Sequence, residues 1–283
     1  MQSTALEQEL TGPFHAPVMQ RARGMGRLTT NVRAGRTELA TLYQEGCAKI
    51  RLPHTHDASL QAVVINTAGG LTGGDDLGWS IEAAAGARLV VTTQACERIY
   101  RSTGPAARVT TRLAAGPGAH LDWLPQETIL FEDSRLARTL EVDLAADASF
   151  CAVEAILLGR DAMGESARQA LLNDDWRIRR DGRLIHAEAT RLSGEPERER
   201  EGLALLRRAR AFATVLYAGA NALAQFDRVR AEMPDRPEIG ASLLGERLVV
   251  RAMAHSGLEL RRLIVPIIAM LSDAGAVPRL WSL

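Results

Sequence analysis

One short pattern recurs through the first half of the chain and limits what it can fold into. Gly86-Ala87-Arg88-Leu89, Gly118-Ala119-His120-Leu121 and Asp147-Ala148-Ser149-Phe150 each open a β-prone run. Each follows a short strand-like run ending in alanines, at 81–85, 111–115 and 142–146. The spacing is about 30 residues, which suits one rung of a stack of short strands. Runs at 37–43, 48–52, 60–66, 77–83 and 88–93 alternate apolar and polar residues and are separated by Gly, Pro, Asp and Asn. That rhythm predicts a mainly β fold, a layered or β-helical stack of short strands. Asp181-Gly182, between the runs 176–180 and 183–187, predicts a tight hairpin, because both residues tolerate positive φ.

The C-terminal third changes character. A β-prone run at 210–218 is followed by a predicted helix over 222–233, closed by Pro234, and by strands at 242–244 and 247–254. Ser256 and Glu259 form a capping-box pattern at the start of a second helix. Leu260, Leu263, Ile264, Ile267 and Leu271 recur there at helical spacing, and Pro266 is expected to kink or shorten that helix. The reading is one domain over 1–283: a partly mobile start with an edge strand at 1–35, a β-rich stack at 36–192, and a strand-and-helix part at 205–281. A charge-dense segment at 195–201 reads as an exposed loop.

Basic and acidic residues balance at 34 each, so nothing marks nucleic acid or an anionic membrane as a partner. The apolar runs at 211–220 and 263–271 fall short of the roughly 20 residues a membrane helix needs. No export signal is read at the N-terminus. Cys47, Cys96 and Cys151 are odd in number and widely spaced, which argues for reduced thiols and a cytoplasmic protein.

The densest motif is Asn66-Thr67-Ala68-Gly69-Gly70-Leu71-Thr72-Gly73-Gly74-Asp75. A phosphate cradle would need Gly-Lys-Ser/Thr entering a helix. Here Asp75 and Asp76 follow the last glycine and a strand follows them, so the motif reads as a double turn with Asp75 capping backbone amides.

That loop resembles the hallmark of the UreD (UreH) family of urease accessory proteins. The likeness continues in register through Thr92-Thr93-Gln94-Ala95, Tyr100-Arg101-Ser102 and Trp123-Leu124-Pro125-Gln126-Glu127-Thr128. It reaches Leu158-Gly159-Arg160, Gly164-Glu165, 249–251 and the closing Pro278-Arg279-Leu280-Trp281, and so spans roughly 35–281. The resemblance implies a largely β fold with a small helical part and no reaction chemistry. It implies a chaperone-like subunit that works with a helical adaptor (UreF) and a nickel-binding GTPase (UreG) on apo-urease. No cofactor is expected to be held tightly. Nickel is expected in transit, through an internal polar tunnel.

Charged residues within the signature runs are the candidates for such a path: Asp75, Glu127, Glu132, Asp133, Glu154 and Arg160. Passage of a borderline metal calls for oxygen ligands and water rather than a tight nitrogen or sulfur cage. For each residue the competing reading is a carboxylate satisfied by a nearby arginine. Cys96 reads as a buried small residue, and Tyr100, Arg101 and Trp123 read as either interface or core. His54, His56 and Asp57 are the alternative, a metal-dependent hydrolase site, although Pro53 places them on an exposed turn. A subunit built for several partners is also expected to expose apolar surface.

Overall fold

The computed structural model describes residues 20–55, 57–160, 163–167, 169–193, 206–233 and 235–282. Two sheets face each other. One holds, in spatial order, β14 (Arg183–Ser193), β13 (Leu171–Arg180), β11 (Arg135–Leu144), β8 (Ala107–Ala115), β5 (Asp76–Ala83), β1 (Arg23–Arg33) and β2 (Arg36–Gly46). The other runs β16 (Ile239–Leu243), β17 (Arg247–Ala254), β15 (Ala211–Ala218), β12 (Ser149–Leu158), β9 (His120–Leu124), β6 (Arg88–Thr93), β4 (Leu60–Asn66) and β3 (Ala48–Arg51). Short strands β7 (Glu97–Ile99) and β10 (Thr128–Leu130) extend the second sheet beside β12.

From β4 to β13 the chain alternates between the sheets, and neighbours within each sheet in this region run parallel. The repeat seen in the sequence is therefore a real rung. Arg88 pairs with His120, and His120 with Ser149. Ala87, Ala119 and Ala148 stack at the corners with at most 1% exposure. Small residues are required there because the chain turns from one sheet to the other in a few residues. The corners are laced together: His120 N–H donates to Ala87 C=O and Ser149 N–H to Ala119 C=O, both within 2.9 Å.

One core lies between the sheets, around Leu28, Trp79, Leu121 and Phe150. A second lies on the outer face of β12, β15 and β17, under helices α1 (Ala222–Glu232) and α2 (Gly257–Leu271). β12 is thus covered on both faces, which explains its nearly unbroken apolar run. The Asp181-Gly182 turn joins β13 and β14 with φ of 47° and 76°, as both residues were expected to allow.

Three local expectations need correction. The edge strand expected within 1–35 is β1, and it lies inside its sheet between β2 and β5; the edge is β2. Its periodicity is masked by glycine, because a Cβ on Gly26 would lie 2.4 Å from the Trp79 ring. The strand expected at 242–244 is β16, which begins at Ile239. Helix α2 is not cut short by Pro266 but runs on to Leu271. Pro266 and Arg262 are both exposed, so water can take the carbonyl that proline leaves without a donor. The capping box forms with one change: Ser256 Oγ accepts from Glu259 N–H, while Glu259 Oε2 takes the N–H of His255. Pro234 and the segment 195–201 lie outside the described residues. On β2 every residue but Thr37 is exposed, including Leu39, Leu42 and Tyr43.

Candidate functional site

The conspicuous sequence runs occupy equivalent places in successive rungs, at the end of the stack opposite the alanine corners. Leu71, Ile99, Leu130 and Leu158 stack there with at most 1% exposure. Backbone bonds tie them across rungs: Leu71 N–H to Arg98 C=O, Phe131 N–H to Ile99 C=O, Gly159 N–H to Leu130 C=O. The glycine-rich loop, the 92–102 run, the 123–131 run and the 158–160 run therefore build one continuous surface.

The glycines of the loop answer to its neighbours. A Cβ on Gly73 would lie 1.9 Å from Ser102 Oγ and 2.3 Å from Pro105 C=O. Gly73→Ala is expected to cost about 1–3 kcal/mol by overpacking, measurable as a lowered melting temperature. Asp75 is 4% exposed, and both its oxygens serve the backbone, Oδ1 taking Ala22 N–H at 2.8 Å and Oδ2 taking Thr72 N–H at 2.7 Å. It is a cap, as the loop reading required.

Beneath this surface lies a small cavity of about 60 Å³ between the sheets, lined by Trp123, Gln126, Thr128, Arg138 and Glu154 among others. A recess of about 190 Å³, lined by Asn66, Gly69, Gln94 and Cys96, opens beside the glycine-rich loop. Glu97, Thr93 and Trp79 line both. Glu97 accepts from Asn66 Nδ2 at 3.1 Å. Burial pushes its carboxyl up to about 7, against the pull of that bond.

Arg138 organises the inner cavity. It holds Asp174 with two nitrogens, Nε at 3.2 Å and Nη2 at 2.8 Å. Its Nη1 is aligned on Thr128 Oγ1 at 2.9 Å and passes 2.8 Å from Glu154 Oε1. Glu154 Oε1 is thereby buried next to a cation without a well-directed donor. One guanidinium serves two carboxyls and Asp174 takes the better share. Burial raises Glu154 to about 8, Arg138 opposing and Asp174 assisting. For Arg138, burial is outweighed by Asp174 and Glu154, and its pKa is raised.

Glu127, 1% exposed, is clamped by Arg261 of α2 through Nε at 2.5 Å and Nη2 at 2.7 Å. Arg261 also donates to Gln126 Oε1 and to Trp281 C=O. Burial alone would raise Glu127, but the Arg261 bonds hold it below the usual carboxylate range. Cys96 Sγ contacts Glu127 Oε2 at 3.2 Å, and burial pushes the thiol up to about 11. Trp123 is 6% exposed and belongs to the core.

The six charged candidates are not brought together. Glu154 lines the inner cavity and Glu127 lies behind it in the α2 clamp. Asp133, at φ 53°, turns the chain and pairs with Arg101 at 3.2 Å. Glu132 is half-buried and its N–H donates to Glu165 Oε1. Arg160 pairs with Glu165 and lies over the Phe131 ring at 4.5 Å. Three polar groups of the interior escaped the sequence reading. Glu97 lies between the runs 92–95 and 100–102 and inside neither. Arg138 and Asp174 are linked only by the parallel register of β11 and β13.

His54 lies on an exposed loop beyond β3. Asp57 Oδ1 is taken by Ser59 N–H and Oγ, and His56 lies outside the described residues. The described residues hold no group of three His, Cys, Asp or Glu side chains placed to bind a metal. His120 does meet Asp122 and Ser149, each at 2.7 Å, but this string is locked into the sheet, with Asp122 fully buried and its second oxygen taken by Ser272. No described helix is long and apolar enough to cross a membrane.

Comparison with known proteins gives the family. The family model described as UreD urease accessory protein matches residues 22–282. A urease accessory protein UreD from Chelativorans sp. (strain BNC1) is 59% identical over 283 residues, covering all of both chains. Its counterparts from Rhizobium etli and Sinorhizobium medicae are 53% and 47% identical, each aligned over 93% of this chain and 96% and 97% of their own. A match over nearly the whole chain, on a fold whose rungs carry the signature runs at one end, makes this chain a member of the UreD family of urease accessory proteins.

Proposed function

We propose that the chain is a non-enzymatic, chaperone-like subunit of the cytoplasmic assembly that loads nickel into apo-urease. Its partners in this reading are apo-urease, a helical adaptor of the UreF kind and a GTPase of the UreG kind. Nucleotide hydrolysis falls to the GTPase, since the glycine-rich loop here carries a backbone-capping Asp75 in place of a lysine. Nickel passes as cargo from the recess at Asn66 and Glu97 into the cavity at Glu154 and is not retained. The observation that carries this reading is Glu97, which lines both spaces. Carboxyls that hold protons near neutral pH, such as Glu97 and Glu154, exchange them for a cation and release it again without forming a trap.

The test pairs two readouts on Glu97→Gln and Glu154→Gln. Urease activation in cells co-expressing all components is expected to fall several-fold. Co-purification with urease and the adaptor is expected to persist. If activation and assembly fall together, the two carboxyls are structural and the passage reading is wrong.

A further inference from the structure

The alanine-corner end of the stack, remote from the signature surface, holds an arginine whose bonding is half used. Arg180 closes β13, and its Nη1 donates to three backbone carbonyls of the β11–β12 corner: Ala145 at 3.1 Å, Ala146 at 2.8 Å and Ala148 at 2.8 Å. These contacts fix the plane of the guanidinium. Its opposite edge, Nε and Nη2, is buried and has no hydrogen-bond acceptor. The nearest carboxylate, Glu246, stays 3.8 Å from Nε, and its own side chain is 62% exposed. Buried donors are almost always paired, and those on a charged group are the costliest to leave idle.

Arg180 lines a surface pocket of about 580 Å³ between the β13–β14 turn and the β16–β17 turn. Arg183 and Arg247 line it as well. Arg183 is exposed and its side chain makes no hydrogen bond or ion pair among the described residues. Arg247 commits Nε to Leu244 C=O. Three arginines and two carboxylates, Asp181 and Glu246, leave the pocket net positive.

We infer that Arg180, flanked by Arg183 and Arg247, forms an oxyanion-binding site whose ligand is a carboxylate or phosphate group gripped by the Nε–Nη2 edge. A guanidinium edge matches the two oxygens of such a group with parallel bonds. Glu246 is the movable competitor: its side chain swings into solvent when the ligand arrives. The site is independent of nickel passage, since it lies at the other end of the rungs.

Isothermal titration of the full chain at low salt, with inorganic phosphate in one arm and a capped tri-glutamate peptide in the other, tests the site. Binding of phosphate alone assigns it to a free anion, and binding of the peptide identifies an acidic protein segment as the source. Glu246→Gln is expected to tighten binding several-fold by removing the competitor. Arg180→Lys keeps the charge but not the fork and is expected to weaken binding roughly tenfold. Should Arg180→Lys fail to fold, Arg183→Gln with Arg247→Gln leaves the corner anchor intact and is expected to weaken binding to a similar degree. No saturable binding in either arm, or affinities unmoved by Glu246→Gln and by the double variant, overturns the assignment.

Discussion

Arg138→Met is expected to lower the unfolding free energy by about 3–5 kcal/mol near pH 7.5, the usual cost of removing one partner from a buried ionic group. Total stability is on the order of 5–15 kcal/mol, so the variant should stand at the edge of unfolding. The loss comes from what stays behind: Asp174 and Glu154 are 3% and 8% exposed and no longer share a cation. The pH dependence follows from the same residues. With the guanidinium gone, the strongest opposition to the burial of Glu154 is lost, so its folded-state pKa, already raised, lies further above the unfolded one. The folded variant then binds the extra proton. That part of its stability is fully present below the unfolded carboxylate range and is lost as pH rises through the raised value. Urea unfolding at pH 5.5 and 7.5 should show the deficit shrinking at the lower pH. A deficit that does not change with pH would mean that Arg138 stabilises the sheets by packing alone.

Glu127→Ala is expected to cost about 3 kcal/mol, the lower end of the range for a buried pair, because the Arg261 side chain keeps 22% exposure. The damage should be local as well as global. Arg261 ties α2 to Gln126, Glu127 and the carbonyl of Trp281, and Trp281 Nε1 in turn donates to Leu124 C=O. Amide exchange should therefore quicken in α2 and in the terminal turn Arg279–Ser282 before it does in the parallel rungs. The sign with pH is opposite to that of Arg138→Met. The folded pKa of Glu127 is depressed, so the pair contributes above the ordinary carboxylate range and its contribution is lost as pH falls through the depressed value. Wild type and variant should converge in stability on acidification.

The sequence carried the rungs well because the corners leave few options. Only Gly-Ala or Asp-Ala pairs fit where Ala87, Ala119 and Ala148 stack, so the same letters recur at each turn. Strands β4, β6 and β17 were legible to the residue, and β3 and β5 nearly so, since turn residues bound them closely. β1 was obscured because two of its inward positions, Gly24 and Gly26, are kept small by Ala48 and the Trp79 ring. The candidate site was only half legible. Glu127 and Glu154 lie inside recognisable runs, and burial at both positions is real. Their partners, Arg261 and Arg138 with Asp174, are set by register and by helix docking. No local pattern encodes a contact between residue 127 and residue 261. The charged candidates at Asp75, Asp133 and Arg160 show the opposite failure: composition marks them, yet each is consumed by a cap, a turn or an exposed ion pair.

The order in which strands become neighbours has a bearing on synthesis. In the parallel region each new strand docks on one made a single rung earlier: β5 on β1, β8 on β5, β11 on β8, and likewise β6 on β4, β9 on β6 and β12 on β9. No strand there waits for a partner from the far end of the chain. A ribosome releasing the polypeptide from its N-terminus thus delivers each template before the segment that needs it. Of the last-made parts, β15 and β17 extend the sheet beyond β12, and α2 then seals the outer face of β12. Until they emerge, that apolar strand face is bare, and the nascent chain's greatest need for protection falls late in translation.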